Sequence, residues 1–371
     1  MQLKFVEPTK GMLHLEMNIV QQLYRCHFGK EKDSWSLHMW MDELGQDYRK
    51  MWDDSRKGEV KNYRASRDVL FMVLKGYVFA SVAAEINENC SNFTQYTAFL
   101  QDISQSKLSD AIEKVVDYCS DFQYVEKMRY SPDDERDIDH ENMILFMQHG
   151  LVLRVFDQAV RIGDSGLMCS AMSFFTIWLQ GTNSDNYKRG LLRLTAQLRI
   201  IWSDRLRKFW MENCLVNLSG KRNAFMPLDQ LNEYIVREVK DKMRPYMTEQ
   251  TDDYLRNKVS LLIMFFWEIR RKFANEADVD IFDFHSSTVD EYDDIRHVTD
   301  KTLEGDLMRH CTNRSSKGAR VILDLYVEGI GVMADGEIIT KVKKSLLKPA
   351  SVYDDFEDPD IVDQMDDVLE I

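Results

Sequence analysis

The sequence predicts a mostly α-helical protein with a few short strands. Three observations carry this. Six prolines interrupt 371 residues, and between Pro8, Pro132 and Pro227 lie two stretches of more than ninety residues without one. Proline breaks helix interiors, so such stretches permit long helices. Glycine is modest (16) and methionine frequent (20), which suits packed helices rather than many tight turns. Apolar residues make up 44% of the chain and recur at helical spacing through most of it. The length fits one large domain or two ordinary ones.

Residues 1–30 read as a strand–helix unit. LKFVEP is a short strand, and a helix follows from about Lys10 to Phe28, with Met12, Leu15, Ile19, Gln22 and Leu23 near helical spacing. The polar run GKEKD ends it and opens a helical region over 31–206. Its first helix spans Ser34 to Trp52 with a break near Gly45, and the next, Ser66 to Glu88, is long and apolar. SNFTQYTAFLQDI and LSDAIEKVVDYCSDFQYVEKM are two more, the second with acids early and a lysine late, as the helix dipole prefers. The loop RYSPDDERDIDHEN is dense in acids and carries Pro132, so it marks an internal boundary near 131–142. Helices resume at Met143–Ile162, Gly166–Leu179 and Tyr187–Asn213. The C-terminal helical region, 207–348, holds helices at Pro227–Met243 and Gln250–Ala274 and a charged loop at Asn275–Asp300. Its last pair of elements lies near Lys301–His310 and Lys317–Gly329. Residues 349–371 form a tail too poor in apolar surface to order itself.

Charge is uneven. The net charge is −14, but Tyr353 to Ile371 alone carries nine acids and no Lys or Arg, which leaves −5 for the rest. A globally basic nucleic-acid binder is not indicated, although a local basic surface is compatible with these numbers. Six scattered cysteines without a CxxC pair argue against a zinc ribbon or a thioredoxin-like site, and read as reduced thiols of an intracellular protein, nuclear or cytoplasmic. MQLKFVEPTKG lacks the apolar core of a secretory signal. The runs VLFMVLKGYVFASVAAEI and VSLLIMFFWEI fit buried helices better than membrane spans. Dinucleotide, P-loop, nucleophile-elbow and HExxH motifs are absent from the sequence.

Three sets of residues are candidates for function. Asp229 and Glu233 lie four apart on one helix face, roughly 6 Å from each other. Paired carboxylates hold Mg²⁺ or Mn²⁺, yet acids in a first turn also simply stabilise it, and Glu233 can pair with Arg237. His14, in KGMLHLEMN, sits where the opening strand meets its helix, as a metal or phosphate contact or as a hydrogen-bonded boundary residue. Asn186 to Lys208 carries Lys188, Arg189, Arg193, Arg199, Arg205, Arg207 and Lys208 against one Asp, and Lys221 and Arg222 follow in the loop SGKRNAF. These basic residues either bind phosphates or form a solvated face that offsets the acidic loops. KVKKSLLK is a nuclear-import patch or a flank of the acidic tail.

Four segments together resemble a eukaryotic domain of unknown function found in fungi and animals and associated with transposons. They are GMLHLEMN from Gly11, HFGKEKDSWSL, NYKRGLLRL from Asn186 and VNLSGKRNAFMPLDQLNEYI from Val216. The resemblance implies kinship with transposases of ribonuclease-H-like fold, in which two strand-borne aspartates and a late helical glutamate bind two metals. On that view LKFVEP is an inner strand, about 31–206 is a helical insertion on a partial ribonuclease-H-like remnant, and Glu233 matches the late acid. Where such proteins carry an acid close before the motif histidine, this chain has Met12 and Leu13. The first aspartate would lie upstream of Met1, so the chain reads as the C-terminal part of such a protein. The expectation is a catalytically inert protein that binds DNA or a protein partner, with no cofactor and no membrane association. Its rivals are a Mg- or Mn-dependent nuclease or transposase completed by an upstream segment, with Glu233, Asp229 and His14 at its centre, and a structural helical scaffold.

Overall fold

The computed structural model describes residues 10–30, 33–45, 48–53, 58–132, 135–243, 272, 291–312, 314 and 320–346. The opening strand, the helix expected over Gln250–Ala274 (Lys272 apart), the loop over 275–290 and the acidic tail lie outside them.

Helix α1 (Met12–His27) forms as its apolar spacing requires, burying Leu15, Ile19 and Leu23. The helix expected over Ser34–Trp52 divides. α2 (Leu37–Glu43) starts where Ser36 Oγ accepts from the Met39 amide, 3.1 Å. Gly45 then turns at φ +63°, α3 (Tyr48–Met51) is one turn, and Trp52 leaves the helix for a strand. That strand, β1 (Trp52–Asp53), pairs antiparallel with β2 (Glu59–Val60), Trp52 opposite Val60. α4 (Tyr63–Ile86) starts at an Asn62 cap. It is long and apolar enough to cross a membrane by length and composition, but most of its apolar window is buried inside the protein.

α5 (Phe93–Asp102) and α6 (Gln105–Ser120) start at Asn92 and Ser104 caps. The single helix expected through 128 breaks at Asp121, where ψ swings to 89°, and α7 (Tyr124–Arg129) is separate. α8 (Ile138–Ile162) begins earlier than expected, because Asp137 caps it by accepting from the His140 amide. It stops at Gly163, whose φ of +79° and amide bonds back to Ala159 and Val160 close the helix end. α9 (Ser165–Trp178) runs into a 3₁₀ turn at Leu179–Gly181.

The helix expected over Tyr187–Asn213 is also two. α10 (Asp185–Ala196) loosens into a turn of π-helix at Gln197–Ile201. Trp202 is extended, and α11 (Asp204–Asn213) restarts on a Ser203 cap. A short ribbon then joins β3 (Leu215–Val216) to β4 (Met226–Pro227), Leu215 opposite Pro227. α12 (Leu228–Met243) follows directly. Part of the charged loop expected before Asp300 is helical. α13 (Tyr292–Glu304) places Asp293 and Asp294 in its first turn and buries one stripe, Val298, Thr299, Thr302 and Leu303. The last elements, α14 (Leu325–Ala334) and α15 (Glu337–Leu346), pack against each other.

The chain is therefore mostly helical, and among the described residues the strands make two two-stranded ribbons. One core cluster runs from Met12 to Leu325, with Trp40, Tyr77, Phe156, Phe175 and Trp178 fully buried. α4 lies at its centre, against α1, α6, α8 and α13. Gly76 of α4 lets α13 approach, since a Cβ there would run into Val298.

Candidate functional site

The ribbon of β3 and β4 carries α12 to the start of α1. Asn217 organises its loop, accepting from the Gly220 amide at 2.9 Å and donating to the Lys221 carbonyl at 2.9 Å. Gly220 and Asn223 take left-handed φ values of 65° and 60°, which glycine and asparagine tolerate best. The Leu228 amide bonds the Cys214 carbonyl (3.0 Å), closing the ribbon and fixing where α12 begins. Tyr234 anchors the helix further on, accepting from Arg64 of α4 at 2.8 Å and from Gln230 at 2.9 Å.

Asp229, in the first turn of α12, thereby meets the first turn of α1. Its Oδ1 accepts from the Leu13 amide and its Oδ2 from the His14 amide, each 3.2 Å. His14 Nδ1–H also donates to Oδ2, 2.9 Å, while Nε2 lies 4.0 Å from Glu233 Oε1. The three candidates thus come together across 215 residues of chain. The N-cap of α1 is Gly11, which has no side chain to offer. Asp229 supplies the missing acceptor from another helix, with a negative charge where the α1 dipole favours one. Gly11 is small because it must be: a Cβ there would collide with the Asp229 carboxylate. The hydrogen bond to Asp229 raises the His14 pKa above its ordinary 6.5, partly opposed by burial and helped by the charges of Asp229 and Glu233.

Both Asp229 oxygens accept hydrogen bonds from α1 and His14, so a metal held here would compete with those donors. Among the described residues no group of three or more His, Cys, Asp or Glu is arranged to hold a metal ion.

α1 also lines a cleft of about 680 Å³ with His14, Asn18, Gln21 and Arg25. The loop after the 3₁₀ turn forms the opposite wall. There Asn18 Nδ2 donates to Ser184 Oγ (3.1 Å) and the Ser184 hydroxyl donates back to Asn18 Oδ1 (3.2 Å). Lys10 lies over the Tyr187 ring, 4.9 Å from its centre. Sequence reasoning singled out the segments holding Asn18 and Tyr187 but not these residues. Three of the four motif segments therefore meet around the first half of α1.

The basic run is not one face. Arg193 is buried, 8% exposed. Lys188 pairs with Asp185 (2.7 Å), and Arg189 bonds the Asp185 carbonyl (3.2 Å). In the π turn Arg199 reaches Ser173 (2.8 Å), and beyond it Arg207 pairs with Asp204 (2.7 Å) and Lys208 with Glu212 (3.7 Å). Arg205, Lys221 and Arg222 are exposed. The same stretch shows what charge counting missed. α11 buries none of its residues, and Ile200 (83% exposed), Phe209 (63%), Ile201 and Leu206 face solvent. The sequence carries the signal in FW at 209–210, following RII at 199–201, but the charges of the run dominate its pattern.

A model of a family of unknown function, DUF6589, matches residues 1–280. Neither a curated protein nor a solved structure matches.

Proposed function

The chain belongs to the DUF6589 family of unknown function, and from that premise we propose that it is a catalytically inert binding protein of transposase-like descent. Its ligand is a protein, docked on the surface made by the π turn and α11. One observation carries this reading: α11 buries none of its own residues and leaves Leu206 and Phe209 exposed, a few residues along the chain from the exposed Ile200 and Ile201. Surface apolar residues gathered in this way mark interaction sites. Arg199, Arg205, Arg207 and Lys208 are interspersed with them in the sequence, so the partner is an apolar segment flanked by acids. Duplex DNA is less well served, because Arg193 is buried and Lys188 and Arg189 are both held at Asp185, so the basic run does not make one phosphate-facing surface. The test is affinity capture with the intact chain and with Phe209→Ser, followed by cross-link mapping. The reading requires a protein that cross-links to α11 and is lost in the variant. Salt-sensitive binding to duplex DNA, with no such protein, would replace it by the DNA reading.

The meeting of His14, Asp229 and Glu233 favours a second reading. In it the chain keeps a ribonuclease-H-like remnant and becomes a Mg- or Mn-dependent nuclease once an upstream segment supplies the strand-borne acid. Asp229 would first have to release the α1 amides. Mn²⁺-dependent DNA cleavage abolished by Glu233→Gln would establish this reading, and cleavage unchanged in that variant would remove the site.

A further inference from the structure

We propose that the α11 surface is occupied in the free chain by the chain's own acidic C-terminal segment, 353–371. This rests on the reading of α11 as a docking surface and adds what controls access to it. Three facts support it. The first is charge. Residues 199–212 hold four basic and two acidic side chains, whereas 353–371 hold nine acids and no Lys or Arg. The ion pairs that Arg207 and Lys208 make now are with exposed neighbours, Asp204 and Glu212. Exposed pairs are worth little and exchange readily.

The second fact is pattern. In the segment IVDQMDDVLEI, Ile361, Met365, Val368 and Leu369 recur at the spacing of one helix face, with Asp363, Asp366 and Asp367 between them and Glu370 after them. That is the apolar segment flanked by acids that the α11 surface asks for. The third is reach. The described chain ends at Leu346 on α15, and α15 packs against α10, the helix that leads through the π turn into α11. Residues 347–360 can span about 45 Å when extended. α10 is about 18 Å long and α11 about 15 Å, so the segment can arrive without straining the linker. An intramolecular ligand on such a tether meets its site at high effective concentration, and an external partner must compete with it.

The experiment is zero-length carbodiimide coupling on the full chain, which joins tail carboxylates to lysines that they touch, read by peptide mass spectrometry. Links from the tail to Lys343 and Lys344 are expected whatever the tail does, because those lysines lie close to it in sequence, and they serve as the internal standard. The inference requires links to Lys208 whose yield does not change on dilution and which disappear in Phe209→Asp. Lys208 links that persist in Phe209→Asp mean random encounter and overturn it. So do links whose yield rises with protein concentration, which would make a second copy the occupant. Absence of Lys208 links alongside normal Lys343 links overturns it as well. The outcome is separable from the proposed function. Tail links without an external partner leave this inference standing alone, and an α11 partner without tail links leaves only the docking surface.

Discussion

Asp229 is held by the start of another helix as much as by its own. That makes two residues 218 positions apart interdependent, since Gly11 must lack a Cβ for the carboxylate to reach Leu13 and His14. Asp229→Ala leaves first-turn amides without an acceptor and costs about 1–2 kcal/mol. Gly11→Ala forces the helices apart at the same place and costs about 1–3 kcal/mol. The double variant loses less than the sum, because either change alone already breaks the contact. Urea unfolding midpoints of the three variants check this, and strict additivity would contradict it. The histidines set opposite pH trends. The His14 pKa is raised above 6.5, chiefly by its hydrogen bond to Asp229, so its contribution is complete below 6.5 and is lost as pH rises through the folded value. His27 and His149 are buried with ring nitrogens 3.2 Å apart. Burial lowers both, His149 to about 3 and His27 well below its ordinary value with His149 adding to the effect. Their contribution is present above 6.5 and is lost as pH falls below it. Stability measured from pH 5 to 8 should therefore fall on both sides, with His14→Gln removing the alkaline decline and leaving the acid one.

The helices differ in how plainly the sequence announced them. α1, α4, α5, α9 and α12 lie within a few residues of expectation, because each has an apolar stripe and each starts beside Asn, Asp, Gly or Pro. The breaks at Asp121 and Trp202 were hidden, since neither residue forbids helix and each break depends on what the next segment packs against. The ribbons were hidden because two-residue strands show no alternation. The sequence predicts a loop where α13 forms, because one buried stripe in a highly charged stretch leaves little periodicity. His14, Asp229 and Glu233 were legible as candidates, but not the use of Asp229 on α1, which depends on a contact across 215 residues. The burial of Arg193 was hidden for the same reason. Two predictions belong to elements. α11 buries none of its own residues, so Phe209→Ser should leave the unfolding free energy within about 0.5 kcal/mol of wild type while removing partner capture. α1, α4 and α8 are joined instead by charge in the interior. Arg67 Nη1 lies 3.6 Å from Glu16 and 3.5 Å from Asp157, two carboxylates that are nearly inaccessible, and Arg161 and Arg154 also reach Asp157. Arg67→Met leaves Glu16 buried without its cation and should cost about 3–5 kcal/mol, read in the same unfolding assay.

The whole molecule turns on the acidic segment around Pro132, which sequence reasoning reads as an internal boundary near 131–142. Here the chain is tied on both sides. Glu141, fully buried, takes Arg136 in a two-pronged pair (2.9 and 2.6 Å) and Arg129 at 3.3 Å. Asp137, also fully buried, accepts from Arg314 at 2.9 Å and from the Cys311 amide at 2.9 Å, and His140 bonds the Leu307 carbonyl at 2.8 Å. The residues beyond 300 are thus stitched to the start of α8, while α13 covers α4 on the other side of the segment. Each half of the chain would expose a large part of the common core without the other. The consequence can be tested by splitting the gene between Pro132 and Glu135. Residues 1–132 and 135–371, produced separately, should lack the near-ultraviolet circular dichroism of packed aromatic side chains, since Trp40 and Tyr77 belong to one piece and Phe156, Phe175 and Trp178 to the other. Produced together, they should copurify and recover that signal, because α4 regains its packing against α8 and α13 and Arg129 regains Glu141. A fragment that folds cooperatively by itself would mean that the two sides are independent domains, and that the shared core follows from their association rather than causing it.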